Sequence, residues 1–231
     1  MKRFFGEIFK DKIIVKENEF NHMKKVLRMQ EGDEVLASVN DENDYYCTIE
    51  KMDKNQALLS INQIKPCPAL PKKNIVLFQM LPKKEYLDNI IAKSVELGVS
   101  KIIPFTSEYT MIKDIREDRV TTQIMTACKQ CGRSKLVEFE KCVKFEKIIE
   151  KLKDFDLVLF AYEKETEVFK PSILKDKQNI AIVIGNEAGF SESEANLLKK
   201  NATSISLGTR ILRCDTAVIS VLSLVGILSG N

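Results

Sequence analysis

The sequence predicts an α/β protein in which a parallel sheet with covering helices follows a small β-barrel. Three observations predict it. From residue 74 onward, short apolar runs alternate with segments of helical period, the grammar of parallel strands joined by helices. Before residue 66, short alternating runs are separated by turn residues, which suits a small barrel. Between the two regions Pro66, Pro68 and Pro71 crowd one stretch. Proline fixes φ and lacks an N–H, so neither a helix nor a central strand runs through it. The expected domains are therefore residues 1–68 and 69–231.

In the first domain Arg3–Gly6 opens the chain and Lys12–Val15 reads as a strand. Glu19–Arg28 spaces Phe20, Met23, Val26 and Leu27 as one face of a short helix. A turn at Gln30–Asp33 leads into Glu34–Val39, where Val35, Ala37 and Val39 share a face. Tyr45–Ile49 and Ala57–Ile61 complete the pattern, with a polar hairpin loop at Asp41–Asp44 and a turn at Asp53–Asn55.

In the second domain Asn74–Met80 is apolar enough for a strand buried on both faces. Glu85–Leu97 is a helix that stops at Gly98. Lys101–Phe105 is the next strand, and Thr106–Ile115 is polar and loop-like. Helices are expected at Arg119–Gly132, Lys144–Leu152, Ser191–Lys199 and Asp215–Leu228. Strands are expected at Asp156–Phe160, Ile180–Ile184 and Ser204–Leu207.

Composition excludes several classes. With 44% hydrophobic and 30% charged residues the chain has the make-up of a soluble globular protein. Its net charge of +3 permits nucleic-acid binding without demanding it. The longest apolar run, Ala217–Leu228, is interrupted by Ser220, Ser223 and Gly226 and is too short to span a bilayer. The N-terminal stretch lacks the apolar core and cleavage site of an export signal. The cysteines are accordingly expected as free thiols in the cytoplasm. His22 is the only histidine, so a histidine-based metal cluster is excluded and no catalytic triad is recognisable around it. Cys128 and Cys131 form a C-x-x-C without a second pair for zinc, and they lie within a helix rather than at its start. No metal is expected.

Two loops carry the chemistry. Gly185–Gly189 follows the strand at Ile180–Ile184, and Gly208–Arg210 follows the strand at Ser204–Leu207. Glycine permits positive φ or close approach of a ligand. Ser191 with Glu194 is a capping-box pattern, so free N–H groups of a helix start face this loop. The spacing is neither that of a dinucleotide fingerprint nor that of a P-loop, and an ordinary strand–turn–helix corner carries the same pattern. Arg210 and Arg213 suit bidentate recognition of phosphate or carboxylate, although solvated arginines on a loop would read the same way. Arg3, His22, Lys24, Lys25 and Arg28 are either phosphate contacts or a solvated basic face.

Read together, Ile184–Glu194 (IGNEAGFSESE) and Leu207–Ala217 (LGTRILRCDTA) resemble the motifs of SPOUT methyltransferases, and within them the 16S rRNA uracil-N3 methyltransferase family, which acts on uridine 1498. The resemblance extends over nearly the whole chain. It includes Lys2–Phe5, His22 with Val26–Arg28, Gly32–Asp33, Leu81–Lys83, Lys93–Val99, Ser107–Glu108 and Gln130–Arg133. This chain departs from the family pattern at Asn186 (usually proline), Ala188 (glycine), Cys214 (threonine) and Asp215 (glutamate). Thr126 and Lys129 stand where the family usually has two glutamates.

The resemblance implies a PUA-like barrel joined to a SPOUT domain whose C-terminal part forms a deep trefoil knot. It implies S-adenosylmethionine as cofactor, held by Leu81, Ile184, Gly185, Asn186, Glu187, Gly189, Leu207, Gly208, Ile211 and Leu212. Catalytic roles are expected for Arg210, Arg213 and Asp215: Arg210 or Arg213 would stabilise the uracilate or a phosphate, and Asp215 or Glu187 would orient an arginine or accept a proton. RNA contacts are expected from Arg3, His22, Lys25, Arg28 and Arg133. The partners implied are 16S rRNA of the small ribosomal subunit and a second copy of the chain. The rival readings are a non-catalytic RNA-binding protein with a degenerate fold of this type, and a nucleotide-binding metabolic enzyme.

Overall fold

The computed structural model describes residues 1–111 and 115–229. Ile112, Lys113 and Asp114, within the stretch expected as a loop, lie outside the described residues. The chain divides into two compact units. The first is Met1–Leu70 with Cys128–Leu136, and the second is the remainder.

The first unit contains β1 (Arg3–Phe5), β2 (Glu7–Phe9), β3 (Lys12–Lys16), α1 (Glu17–Asn21), β4 (Glu34–Ser38), β5 (Asn43–Met52) and β6 (Gln56–Pro66). The helix expected at Glu19–Arg28 is α1 continued by a π-helical stretch, His22–Val26. Among the described residues the strands form one six-stranded sheet in the order β1-β4-β5-β6-β3-β2. The edge strands β1 and β2 are consecutive in the chain, with Gly6 alone between them, so the sheet has to curl until its edges meet. Glycine is required there. A Cβ on Gly6 would sit 2.7 Å from both Ile13 Cγ2 and the Ile14 carbonyl oxygen. Period-two alternation puts Val35, Ala37, Tyr45, Cys47, Ile49, Ala57 and Leu59 inside the curl with Phe4, Ile13 and Val15. Phe20 and Met23 close it from the helix.

The segment Cys128–Leu136 is tied to this unit by polar contacts. Lys129 Nζ lies 2.6 Å from Glu19 Oε1, Ser134 Oγ donates to the Asp41 carbonyl, and Leu136 N donates to Asn40 Oδ1. Cys128 Sγ and Cys131 Sγ each point to a main-chain carbonyl, of Lys135 and Cys128 respectively.

The second unit is built from β7 (Asn74–Met80), α2 (Lys84–Glu96), β8 (Lys101–Thr106), α3 (Glu117–Cys131, its last turn counted with the first unit), β9 (Glu138–Phe139), β10 (Val143–Lys144), α4 (Phe145–Lys151), β11 (Leu157–Ala161), β12 (Asn179–Ile184), α5 (Glu192–Asn201), β13 (Thr203–Ile205) and α6 (Cys214–Ser229). A 3₁₀ turn at Pro171–Leu174 precedes β12. The sheet runs β10-β8-β7-β12-β11-β13, with β9 also on β8, and its ladders are parallel. Chain order reverses between β7 and β12, since β7 is followed outward by β8 and β12 by β11 and β13. Such a switch point opens a crevice at the carboxyl ends of the strands.

Both faces of this sheet are covered, which is why β7 and β12 are continuous apolar runs. One face packs Val76, Phe78, Met80, Ala181 and Val183 against Phe145, Ile148, Phe190, Ala195 and Leu198. On the other lies α6, which packs on α2 and β12. It buries Val218, Val221, Leu222 and Val225 at helical spacing, while Leu224, Ile227 and Leu228 on another face are 40%, 78% and 45% exposed. No helix among the described residues is long and apolar enough to cross a membrane.

Candidate active site

The site grows from the carboxyl end of β12. The apolar run ends at Ile184, and the chain turns through Gly185–Phe190 before α5 begins. Ser191 caps α5: its hydroxyl accepts from Glu194 N, and Glu194 Oε2 accepts from Ser191 N at 3.0 Å. The other oxygen of Glu194 accepts from Glu108 N, also at 3.0 Å. The expected capping box is thus present, and its glutamate additionally ties the loop after β8 to α5.

The turn itself is pinned on three sides. Gln79 Nε2 donates to the Gly185 carbonyl at 3.1 Å. Asn186 Nδ2 donates to the Leu81 carbonyl at 3.2 Å, and its Oδ1 accepts from Ala188 N, making a local turn. Glu187 Oε1 accepts from Lys83 N at 2.9 Å. Asn186 therefore does with a side-chain amide part of what a rigid proline would do through φ. Gly189 (φ 69°) and Gly208 (φ 108°) adopt the left-handed backbone that glycine favours, whereas Gly185 packs its Cα face against the Phe190 ring.

The second loop, Leu207–Arg213, returns from β13 to α6 and faces the first. Together they enclose a cavity of about 470 Å³. Ile184, Gly185, Asn186, Glu187, Gly189, Leu207, Gly208, Arg210, Ile211, Leu212 and Arg213, all anticipated, line it. Leu81 and Asp215 do not. Leu81 is fully buried behind the wall and contributes its carbonyl to Asn186. Asp215 is half-buried at the start of α6, where Asn89 Nδ2 donates to its Oδ2 and Thr216 N to its Oδ1, each at 2.9 Å.

Tyr86, Tyr162, Glu163 and Ala217 also line the wall, and none of them was expected there. Tyr162 and Glu163 directly follow β11, the neighbour of β12, so strand adjacency was the signal for them. Tyr86 comes from α2, and no periodicity marks it. Arg213 lies with its guanidinium 5.9 Å from the centre of the Tyr86 ring. Arg210 and Arg213 are both exposed, and Ile211 between them is 88% exposed. Cys214 is buried beside them. Burial first, then the charge of Glu187, pushes its thiol up to about 12, so it stays protonated and unreactive at neutral pH.

The residues expected to meet RNA divide. His22, Lys25 and Arg28 lie exposed on the first unit. Arg3 is turned inward. Its Nη1 is 2.7 Å from Asp44 Oδ1 and donates also to Ser38 Oγ, and the two charged side chains are each 6% exposed. Arg133 is 4% exposed, and burial pulls its guanidinium below the ordinary arginine value. Arg3 thus braces the curled sheet unit, and the side chain of Arg133 is buried as well. Among the described residues no group of three or more His, Cys, Asp or Glu is placed to hold a metal.

Comparison with known proteins agrees with this architecture. Residues 68–226 match the family model for an RNA methyltransferase domain, and residues 15–62 match that for an RNA methyltransferase PUA domain. The chain is 29% identical to the ribosomal RNA small subunit methyltransferase E of Bacillus subtilis (strain 168), over 96% of its own length and 95% of the relative's. It is 31% identical to the protein of the same name from Buchnera aphidicola subsp. Schizaphis graminum (strain Sg), over 91% and 88% of the two chains. A Legionella pneumophila protein solved with the bound cofactor SAM is similar over 100% of this chain and 97% of that one, with TM-score 0.88 and 25% identity. The Neisseria gonorrhoeae ribosomal RNA small subunit methyltransferase E shares the fold with TM-score 0.91 at 22% identity, over 99% and 98% of the two chains. Two family models laid end to end and relatives matched over nearly full length lead to one assignment: the chain belongs to the RNA methyltransferase family, among the ribosomal RNA small subunit methyltransferases E.

Proposed function

We propose that this rRNA methyltransferase uses S-adenosylmethionine to methylate N3 of a uridine in 16S rRNA of the small ribosomal subunit, the uridine conventionally numbered 1498. The observation that carries the reading is the convergence of Ile184–Gly189 and Leu207–Arg213 on one cavity with two arginines at its wall.

The cavity suits the cofactor. Its volume falls in the range of small-molecule sites. A Cβ on Gly208 would meet nothing within 4 Å, so the main chain there borders open space. Ile184, Leu207, Leu212 and Ala217 offer an apolar wall for an adenine, and Glu163 and Glu187 offer negative charge toward a cationic ligand. The Legionella structure solved with SAM supports the same assignment. When bound, the cofactor supplies the electrophilic methyl group. The chain's own residues then have two tasks. Arg210 and Arg213 stabilise the negative charge that develops on uracil as N3 loses its proton. Glu187, the carboxylate on the wall beside them, accepts that proton, while Asp215 is held behind by Asn89. The exposed His22, Lys25 and Arg28 grip RNA phosphates, and the uridine is unstacked to reach the site.

The deep trefoil knot belongs to this reading. Its support is that the β11–β12 connection meets the C-terminal segment twice, through the Val168–Ser206 bridge and through Pro171–Leu174 against α6. The homodimer is supported by the second apolar face of α6, and light scattering at micromolar concentration tests it, with a monomer the contrary result. We place the protein in the cytoplasm with its RNA. Calorimetry tests the cofactor assignment directly. Saturable binding of S-adenosylmethionine at micromolar to millimolar concentration is expected, and no heat at millimolar cofactor overturns it in favour of a non-catalytic RNA-binding protein.

A further inference from the structure

Arg213 and Asp215 stand two residues apart with opposite charge, yet among the described residues Arg213 makes no ion pair. The reason lies on α2, where Tyr86 and Asn89 are three residues apart and so share one face. Asn89 Nδ2 donates to Asp215 Oδ2, and Thr216 N occupies Oδ1, so both carboxylate oxygens are met by neutral donors. Tyr86 faces the Arg213 guanidinium at 5.9 Å.

We propose that Tyr86 and Asn89 are positioning residues that keep the charge of Arg213 un-neutralised and aimed at the cavity. The inference rests on the charge-stabilising role proposed above for Arg213. An arginine on a loop has many rotamers, and a carboxylate partner would fix it only by cancelling its charge and occupying its fork of donors. An aromatic face restrains the guanidinium plane by its quadrupole and takes up none of the N–H groups. Asn89 performs the complementary task. It engages the carboxylate two residues along the chain from Arg213, so that Asp215 does not swing to that arginine. Removal of either residue misplaces or quenches the charge while the two loops keep their own main-chain bonds.

The test compares Tyr86→Phe, Tyr86→Leu and Asn89→Leu in the full-length protein. Methyl transfer to small-subunit particles and calorimetry with S-adenosylmethionine give turnover and cofactor affinity separately. Tyr86→Phe keeps the ring and is expected to retain more of kcat than Tyr86→Leu. Tyr86→Leu is expected to lower kcat by about fivefold to tenfold relative to Tyr86→Phe, the scale of a partly solvated cation–π contact. Asn89→Leu is expected to lower kcat on the same scale, at constant cofactor Kd. In an Arg213→Ala background Tyr86→Leu is expected to cost nothing further. Equal losses in Tyr86→Phe and Tyr86→Leu, additive losses in the double variant, or unchanged kcat in Tyr86→Leu and Asn89→Leu overturn the proposal. Arginine Nε–H NMR gives a readout independent of activity. The Arg213 signal is expected to move in Tyr86→Leu and to hold in Tyr86→Phe, and a signal indifferent to both overturns the contact. Absence of methyl transfer by the wild-type protein would instead defeat the function proposed above, and the NMR comparison would still decide the contact.

Discussion

Arg213 and Arg3 show how differently one residue type is used. Arg213 is exposed, carries no ion pair among the described residues and rests on an aromatic ring. Its removal is expected to lower turnover by about 10²-fold, as for loss of one charge-stabilising donor, while urea unfolding shifts little. Wild-type turnover in Arg213→Ala would rule it out as catalytic. Arg3 is buried against Asp44 and Ser38. Arg3→Ala strands a buried carboxylate and is expected to destabilise the protein by about 3–5 kcal/mol. Denaturant unfolding checks this, and an unchanged midpoint would show that the pair with Asp44 does not hold the fold. Nothing local in the sequence shows which of the two arginines is buried. Arg3 is fixed by Asp44 at a distance of 41 residues in the chain, a pairing that appears only once the sheet curls. Glycines were more legible. Gly189 and Gly208 needed only a strand end before them, and both took positive φ.

Elements with a strong period could be read from sequence to within a residue or two. β7 and β12 were legible as unbroken apolar runs, α2 by its apolar stripe and α5 by its capping box. β2, β9 and β10 were not, since strands of two or three residues carry no period and exist through their partners. β2 is exposed along its whole length, so even burial leaves no mark in its sequence. The capping box yields a prediction of its own. Ser191→Ala removes one acceptor and is expected to cost about 1 kcal/mol. Glu194→Ala leaves two N–H groups, of Ser191 and Glu108, without their acceptor. Its cost is expected to be about 2–4 kcal/mol, since each stranded donor loses a hydrogen bond and keeps its desolvation. Equal costs for the two variants by thermal unfolding would show that Glu194 acts as a cap alone.

For the whole molecule, the chain forms two compact units, and the first takes in Cys128–Leu136 besides Met1–Leu70. The assignment of Cys128–Leu136 to the first unit was invisible in sequence. That segment continues a helix, and only the Lys129–Glu19 pair and the bonds to Asn40 and Asp41 reveal where it packs. The candidate site was legible in outline because parallel sheets put their ligands at strand ends beside a switch point. Two motif-bearing loops therefore had to meet. What α2 contributes, Tyr86 and Asn89, was not legible, since a helix packed beside a site carries no motif of its own. The proposed activity is tested by transfer of labelled methyl groups from S-adenosylmethionine to small ribosomal subunits lacking the modification, with the product nucleoside identified by mass spectrometry. The expected product is 3-methyluridine at a single position of 16S rRNA. No incorporation, or incorporation on a ribose or at another base atom, would contradict the proposed activity.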